Sequence, residues 1–168
     1  MATLKLEALT KEAFAPFGEV IEIAGSDWFP INKGTTQRYH KLGLTDVVGE
    51  DCQVAISMAR GDAFNFPLEV TMLERHPLGS QAFIPCSNAP FVVVVAPNGA
   101  DDKPDESGLR AFWVEGNQGV NYFRGTWHHP LVTIGQVGDF IVVDRVGPGH
   151  NCDEVDLKQV YQLQGKDA

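Results

Sequence analysis

The run Phe91-Val92-Val93-Val94-Val95, set between Pro90 and Pro97, limits the fold more than any other stretch of the chain. Five apolar residues in a row, four of them β-branched, favour an extended backbone. With no polar alternation, the strand needs cover on both faces. Around it, 17 glycines and 10 prolines are spread as punctuation, a spacing that suits many short strands joined by turns. Glu19 to Ile23, Cys52 to Ala59, Phe64 to Glu74 (broken by Pro67), Ala82 to Pro85, Leu109 to Val114, Val132 to Val137 and Phe140 to Arg145 read as further strands. About eight to ten short strands predict an all-β barrel or sandwich.

Helical signals are confined to the ends. Thr10 can cap a short helix through Phe17, with Gly18 as its stop. Asn151 and Glu154 have capping-box spacing, which predicts a short C-terminal helix with a frayed tail after Gln162. The 168 residues, 43% of them hydrophobic, suffice for one domain over 1–168 with a sizeable core.

A net charge of -9 argues against nucleic acid as a partner, because phosphates are bound through Lys and Arg. A locally basic pocket would still admit a small anionic substrate. Cys52, Cys86 and Cys152 form neither a disulfide framework nor a zinc motif. The first residues lack an apolar run of signal-peptide length, and Ala89 to Pro97 is too short to span a bilayer. The expected setting is the cytoplasm, without a membrane partner.

Two segments break the pattern of ordinary barrel wall. In Glu74-Arg75-His76, positions i and i+2 of a strand share a face, so Glu74 and His76 enter the interior together and Arg75 points the other way. After a turn at Gly79, Gln81 returns to the same interior. The second segment, Gly125-Thr126-Trp127-His128-His129, brings at most one ring of its tandem pair to the pocket unless a bulge re-aims the other. Polar groups inside a β scaffold are costly unless something satisfies them, so Glu74, His76, Gln81 and His128 form a candidate pocket. An E/H/Q/H set of imidazole and oxygen donors can hold a divalent ion. Arg124 could clamp a carboxylate bidentately. Asn32, Arg38 and His40 are secondary candidates, and Asp144-Arg145 reads as an ion pair at a strand end.

The array of Glu74, His76, Gln81 and the later His128 resembles the two segments of the cupin superfamily, with a carboxylate and an amide at two of the usual ligand positions. Leu73 to Pro85, Gly119-Val120-Asn121-Tyr122 with Trp127 to Leu131, and Asp139-Phe140 through Asp144-Arg145 are similar to the ureidoglycolate lyase family. Asn151-Cys152-Asp153 and Leu9 to Phe14 with Gly18 match it too. The resemblance implies a cupin-like β-barrel (a double-stranded β-helix with short flanking helices), a homodimer, and elimination of urea from ureidoglycolate to give glyoxylate in allantoin breakdown. It also implies nickel as the divalent ion. On that reading His76, His128 and Glu74 are catalytic, or metal ligands together with Gln81. Arg124, Arg75, Gln81, Asn32, His40 and Asn121 contact the substrate. Two other readings stay open: a metal-dependent cupin of other activity, such as a dioxygenase, and a non-catalytic small-acid-binding module.

Overall fold

Phe91–Ala96 is a strand with every residue buried, and its two faces feed two different cores. Phe91, Val93 and Val95 join one cluster with Phe14, Phe112, Val120, Tyr122 and Phe140. Val92, Val94 and Ala96 join another with Leu73, Ala111, Trp127, Tyr161 and Leu163. This is the two-sided cover that the valine run requires.

The computed structural model describes residues 1–167. Its strands, in chain order, are β1 (Ala2–Leu4), β2 (Leu6–Ala8), β3 (Gly18–Ile21), β4 (Phe29–Ile31), β5 (Thr36–Arg38), β6 (Gln53–Gly61), β7 (Ala63–Phe64), β8 (Leu68–Arg75), β9 (Gln81–Pro85), β10 (Phe91–Ala96), β11 (Arg110–Val114), β12 (Gly119–Tyr122), β13 (Trp127–His128), β14 (Val132–Ile134), β15 (Gly138–Val146) and β16 (Asp153–Leu163). A nine-stranded sheet runs β1-β16-β8-β13-β10-β11-β2, with β14 and β7 joined beside β10. A five-stranded sheet runs β3-β12-β9-β15-β6. β4 and β5 pair separately. The first core cluster lies between the two larger sheets, and the second lies on the outer side of the nine-stranded one. The fold is all-β and cupin-like, as the sequence predicts.

Helix is scarce. α1 (Lys11–Phe14) is one turn, with the Thr10 hydroxyl accepting from Ala13 N–H. It seats Phe14, fully buried, against Phe112 and Tyr122. The expected C-terminal helix is replaced by β16, which pairs antiparallel with β8 and runs to Leu163, past the point where fraying was expected. A capping box stabilises by about 1 kcal/mol. Here it loses to a ladder that also delivers Tyr161 and Leu163 to the outer core.

Candidate active site

The register of the nine-stranded sheet puts Glu154 of β16, Glu74 of β8 and His128 of β13 side by side in one row. The row continues to Val95 of β10, an inner-core residue, so it faces the space between the sheets. Across that space the five-stranded sheet presents Asp144 of β15, Gln81 of β9 and Tyr122 of β12 in a matching row. The Tyr122 ring stacks on His128, with centroids 4.2 Å apart and planes 15° from parallel, so the two rows meet.

His76 follows β8 directly. Its ring centroid is 5.2 Å from that of His128. Asn151 fixes this segment twice: its carbonyl accepts from Nδ1–H of His76 (2.8 Å), and its side-chain oxygen accepts from the Leu78 N–H (2.8 Å). His128 is oriented in the same manner, donating through Nδ1–H to the carbonyl of Thr126 (2.9 Å). That carbonyl is presented by a turn whose Gly125 has φ +80°, a conformation that side chains disfavour.

With each Nδ1 committed as a donor, each neutral ring turns its Nε2 lone pair inward. Both Nε2 atoms are buried and have no hydrogen-bond partner among the described residues. Glu74 Oε1 lies 3.5 Å from Nε2 of His128 and 3.9 Å from Nε2 of His76. Three acceptors thus converge, all within 4.8 Å of one another. Facing lone pairs repel unless a proton or a cation lies between them. Orienting imidazoles through Nδ1–H to backbone carbonyls is how proteins build metal sites. The donor set of two imidazoles and a carboxylate therefore fits a divalent transition-metal ion.

The neighbouring charges set the electrostatics. When a proton lies on their Nε2 atoms, hydrogen bonding from His128 and the charge of His128, then of His76, hold the Glu74 carboxyl below its ordinary value, against the effect of burial. Glu74 is therefore ionised at neutral pH. Burial, helped by Glu74, pushes the Tyr122 phenol up. Burial pulls His129 down; its Nδ1–H donates to the Pro130 carbonyl (2.8 Å).

Gln81 sits in the opposing row. Its Nε2 donates to Asp144 Oδ2 (3.0 Å), which fixes the amide and leaves Oε1 buried without a partner. Asp144 therefore holds Gln81 and does not pair with Arg145. Arg145 is buried and donates to the carbonyls of Val48, Gly147 and Pro148. The strand-end ion pair expected from sequence is absent because successive residues of β15 point to opposite faces.

Several sequence candidates lie away from the cluster. Arg75 points to the outer side, stacked 4.5 Å over the Trp127 ring and paired with Asp102 (2.8 Å) and Asp153 (2.9 Å). Asn121 is on the outer face of β12, donating to Glu19 and to the Leu44 carbonyl. Asn32 bonds Thr36 within the β4–β5 excursion, and His40 accepts from Arg38 there. Arg124 is half-exposed and paired with Asp46 (3.2 Å). It adjoins Gly125, whose N–H donates to the His76 carbonyl, so it stands beside the cluster.

Sequence reasoning missed Glu154, Asp144 and the anchoring role of Asn151. The alternation Glu154-Val155-Asp156-Leu157 was the available signal for β16, and the capping-box spacing masked it. Cys152 Sγ lies 3.9 Å from Glu74 Oε2, on the Glu154 side. Burial and the nearby carboxylates push this thiol up.

Residues 1–164 match a family model described as ureidoglycolate lyase. The chain belongs to the ureidoglycolate lyase family. A ureidoglycolate lyase of Pseudomonas aeruginosa (strain LESB58) is 58% identical over 163 residues, 97% of this chain and 95% of that protein. One from Stutzerimonas stutzeri (strain A1501) is 55% identical over the same shares. One from Pseudomonas putida (strain W619) is 58% identical over 92% of this chain and 91% of its own length. Within the ureidoglycolate lyase family, the convergent Glu74, His76 and His128 are this chain's strongest candidate for the reacting centre.

Proposed function

We propose that this chain eliminates urea from ureidoglycolate, giving glyoxylate, as a carbon–nitrogen lyase of allantoin catabolism. The single observation that carries the site assignment is the pair of buried, partnerless Nε2 atoms facing Glu74 Oε1. The reacting carbon of ureidoglycolate bears a hydroxyl, a carboxylate, a hydrogen and the ureido nitrogen. Three changes complete the reaction: the hydroxyl loses its proton, the C–N bond breaks as C=O forms, and the departing nitrogen gains a proton. No water and no redox partner is consumed.

A cluster made only of acceptors suits the first change, because a hydroxyl can donate into it. Glu74 starts ionised, with Oε1 toward the imidazoles and Oε2 toward Cys152. Glu74 takes the hydroxyl proton and returns it to the nitrogen; one group can do both because oxygen and nitrogen share a carbon. Because a hydroxyl has one proton to give, Nε2 of His76 or His128 can accept it only as an alternative base to Glu74. Gln81, fixed by Asp144, offers Oε1 to the N–H groups of the urea portion. Arg124 neutralises the substrate carboxylate; Arg75 is committed to Asp102 and Asp153 and contributes to stability.

Glu74, His76 and His128, with Gln81 Oε1 as a further oxygen, are also the residues that would hold a divalent ion, nickel by the family resemblance. Bound there, the ion supplies Lewis-acid polarisation that makes the hydroxyl more acidic. We further infer a cytoplasmic homodimer. No helix among the described residues is long and apolar enough to cross a membrane.

Urea and glyoxylate are measured together on ureidoglycolate, before and after chelation. Equimolar release supports the reading, and loss on chelation with recovery on nickel supports the metal assignment. Tight glyoxylate binding by calorimetry with no urea release would make the chain a binding module instead.

A further inference from the structure

We propose that Glu154 binds the ureido end of the substrate and so fixes which way round ureidoglycolate lies in the site. The assignment rests on the ureidoglycolate reading above and adds a residue to it. Along β16, Val155 and Leu157 pack on the outer core, so Glu154 points to the opposite, inner face. There its register partner is Glu74 of β8, and His128 of β13 lies beyond Glu74 in the same row. Glu154 is exposed, Glu74 half-buried and His128 buried, so the row runs inward from the rim of the site.

An exposed glutamate alone needs no explanation, but this one is placed at a cost. A carboxylate oxygen of Glu154, one of Glu74 and Cys152 Sγ all lie within 4.8 Å of one another. Like charges directly opposite on neighbouring strands destabilise a sheet. Arg75, the next residue of β8, gives no relief, because it is on the other face and committed to Asp102 and Asp153. Further in, the partnerless Nε2 of His128, a residue only 2% exposed, faces the same space. The row is therefore a line of acceptors with no donor of its own.

A ureido group supplies what the row lacks. It carries three N–H donors, one on the reacting nitrogen and two on the terminal nitrogen. The N–H of the reacting nitrogen and one terminal N–H point the same way, away from the carbonyl, and a carboxylate accepts such a parallel pair with its two oxygens. Gln81 Oε1, facing the row from the other sheet, takes the remaining terminal N–H. Order along the row fixes the rest of the pose. Arg124 precedes β13 at the His128 end, Glu154 is at the far end, and Glu74 lies between them. The substrate carboxylate thus meets Arg124, the hydroxyl meets Glu74 and the ureido group meets Glu154. The reversed pose sets the substrate carboxylate against two carboxylates. The same repulsion rejects a diacid that carries a second carboxylate in place of the ureido group, so Glu154 selects a neutral, donor-rich end.

Steady-state kinetics on ureidoglycolate compare the full chain with Glu154→Gln, an isosteric change that removes the charge. KM is expected to rise at least about tenfold, the usual effect of losing a hydrogen bond to a charged group, with kcat falling by less than KM rises. Inhibition by glyoxylate, which keeps the carboxylate and lacks the ureido group, should stay within about twofold of the wild type, since its contacts lie at the other end of the row. The melting temperature should equal or exceed that of the wild type, because a like-charge pair is relieved. An unchanged KM in an active variant overturns the role of Glu154 alone. An equal weakening of glyoxylate, or a lowered melting temperature, also overturns it, because Glu154 then shapes the site as a whole. A weaker nickel titration in the variant overturns it too and makes Glu154 a ligand. A wild type that releases no urea from ureidoglycolate overturns the reading on which the assignment rests.

Discussion

At the scale of single residues, the site depends on how each ring is turned. Both imidazoles spend Nδ1–H on a backbone carbonyl, so what they offer inward is a lone pair. His76→Ala and His128→Ala should each lower turnover by at least ~10²-fold, the usual contribution of one positioned acid–base group. Thermal melts should separate this from folding. His76 is partly exposed and should melt near the wild type; His128 is stacked beneath Tyr122 and should lose more. Near-normal turnover in either variant removes that ring from the mechanism. Asn151→Ala deletes the acceptor of Leu78 N–H and loosens the segment that holds His76. Outer partners of this kind alter metal affinity by about 10–100-fold, so nickel titration by calorimetry should show weaker binding. The two guanidiniums should separate by phenotype. Arg124→Ala is expected to raise KM about tenfold at constant stability, as loss of a carboxylate contact does. Arg75→Ala should lower stability and leave KM alone. Glu74, His76 and His128 were legible in the sequence because an i, i+2 spacing and a Gly turn are local signals. Asp144, Glu154 and Asn151 reach the cluster through pairings of residues roughly 60–80 positions apart, which local spacing does not encode.

Strands, turns and their pairings form the next scale, and β16 carries its main lesson. Its first residues satisfy a helix-start pattern, yet the antiparallel ladder with β8 determines the outcome. The valine run was read correctly because composition alone demanded cover on both faces. The C-terminal segment was misread because its cover, the outer face of the nine-stranded sheet, exists only after the chain has folded. At the junction, Arg75 of β8 bonds Asp153 of β16 and Asp102 of the loop after β10. Arg75, ahead of Asn98, holds the Asp102 carboxyl down to about 2, and Arg75 with His150 lowers Asp153. Both folded values are depressed below ~3.9, the ordinary value of an unfolded aspartate. The unfolded chain therefore binds more protons in that range, and stability rises with pH. The contribution is complete above about pH 4 and is lost as pH falls towards 2. Melts between pH 5 and 2 should show this slope, and Arg75→Gln should flatten it. An unchanged slope in that variant would mean that these carboxylates titrate alike in both states.

For the whole molecule, the cluster is a place where distant parts of the chain are held together. Glu74 comes from β8, His76 from the segment pinned by Asn151, and His128 from β13 beneath Tyr122 of the other sheet. A ligand that bridges them binds the folded chain and not the unfolded one, so it must raise stability by linkage. At a nickel concentration a hundredfold above its dissociation constant, the gain is about 2.7 kcal/mol. For a chain of this size that is a rise of roughly 5–10 °C in Tm. Calorimetric scans with and without nickel should show the shift, and a chelator should reverse it. His128→Ala should abolish it, while Arg75→Ala, on the other side of the same sheet, should lower Tm yet keep the full nickel increment. An equal nickel shift in His128→Ala would place any bound ion elsewhere, and no shift in the wild type would leave Glu74, His76 and His128 to act as a proton-handling trio alone.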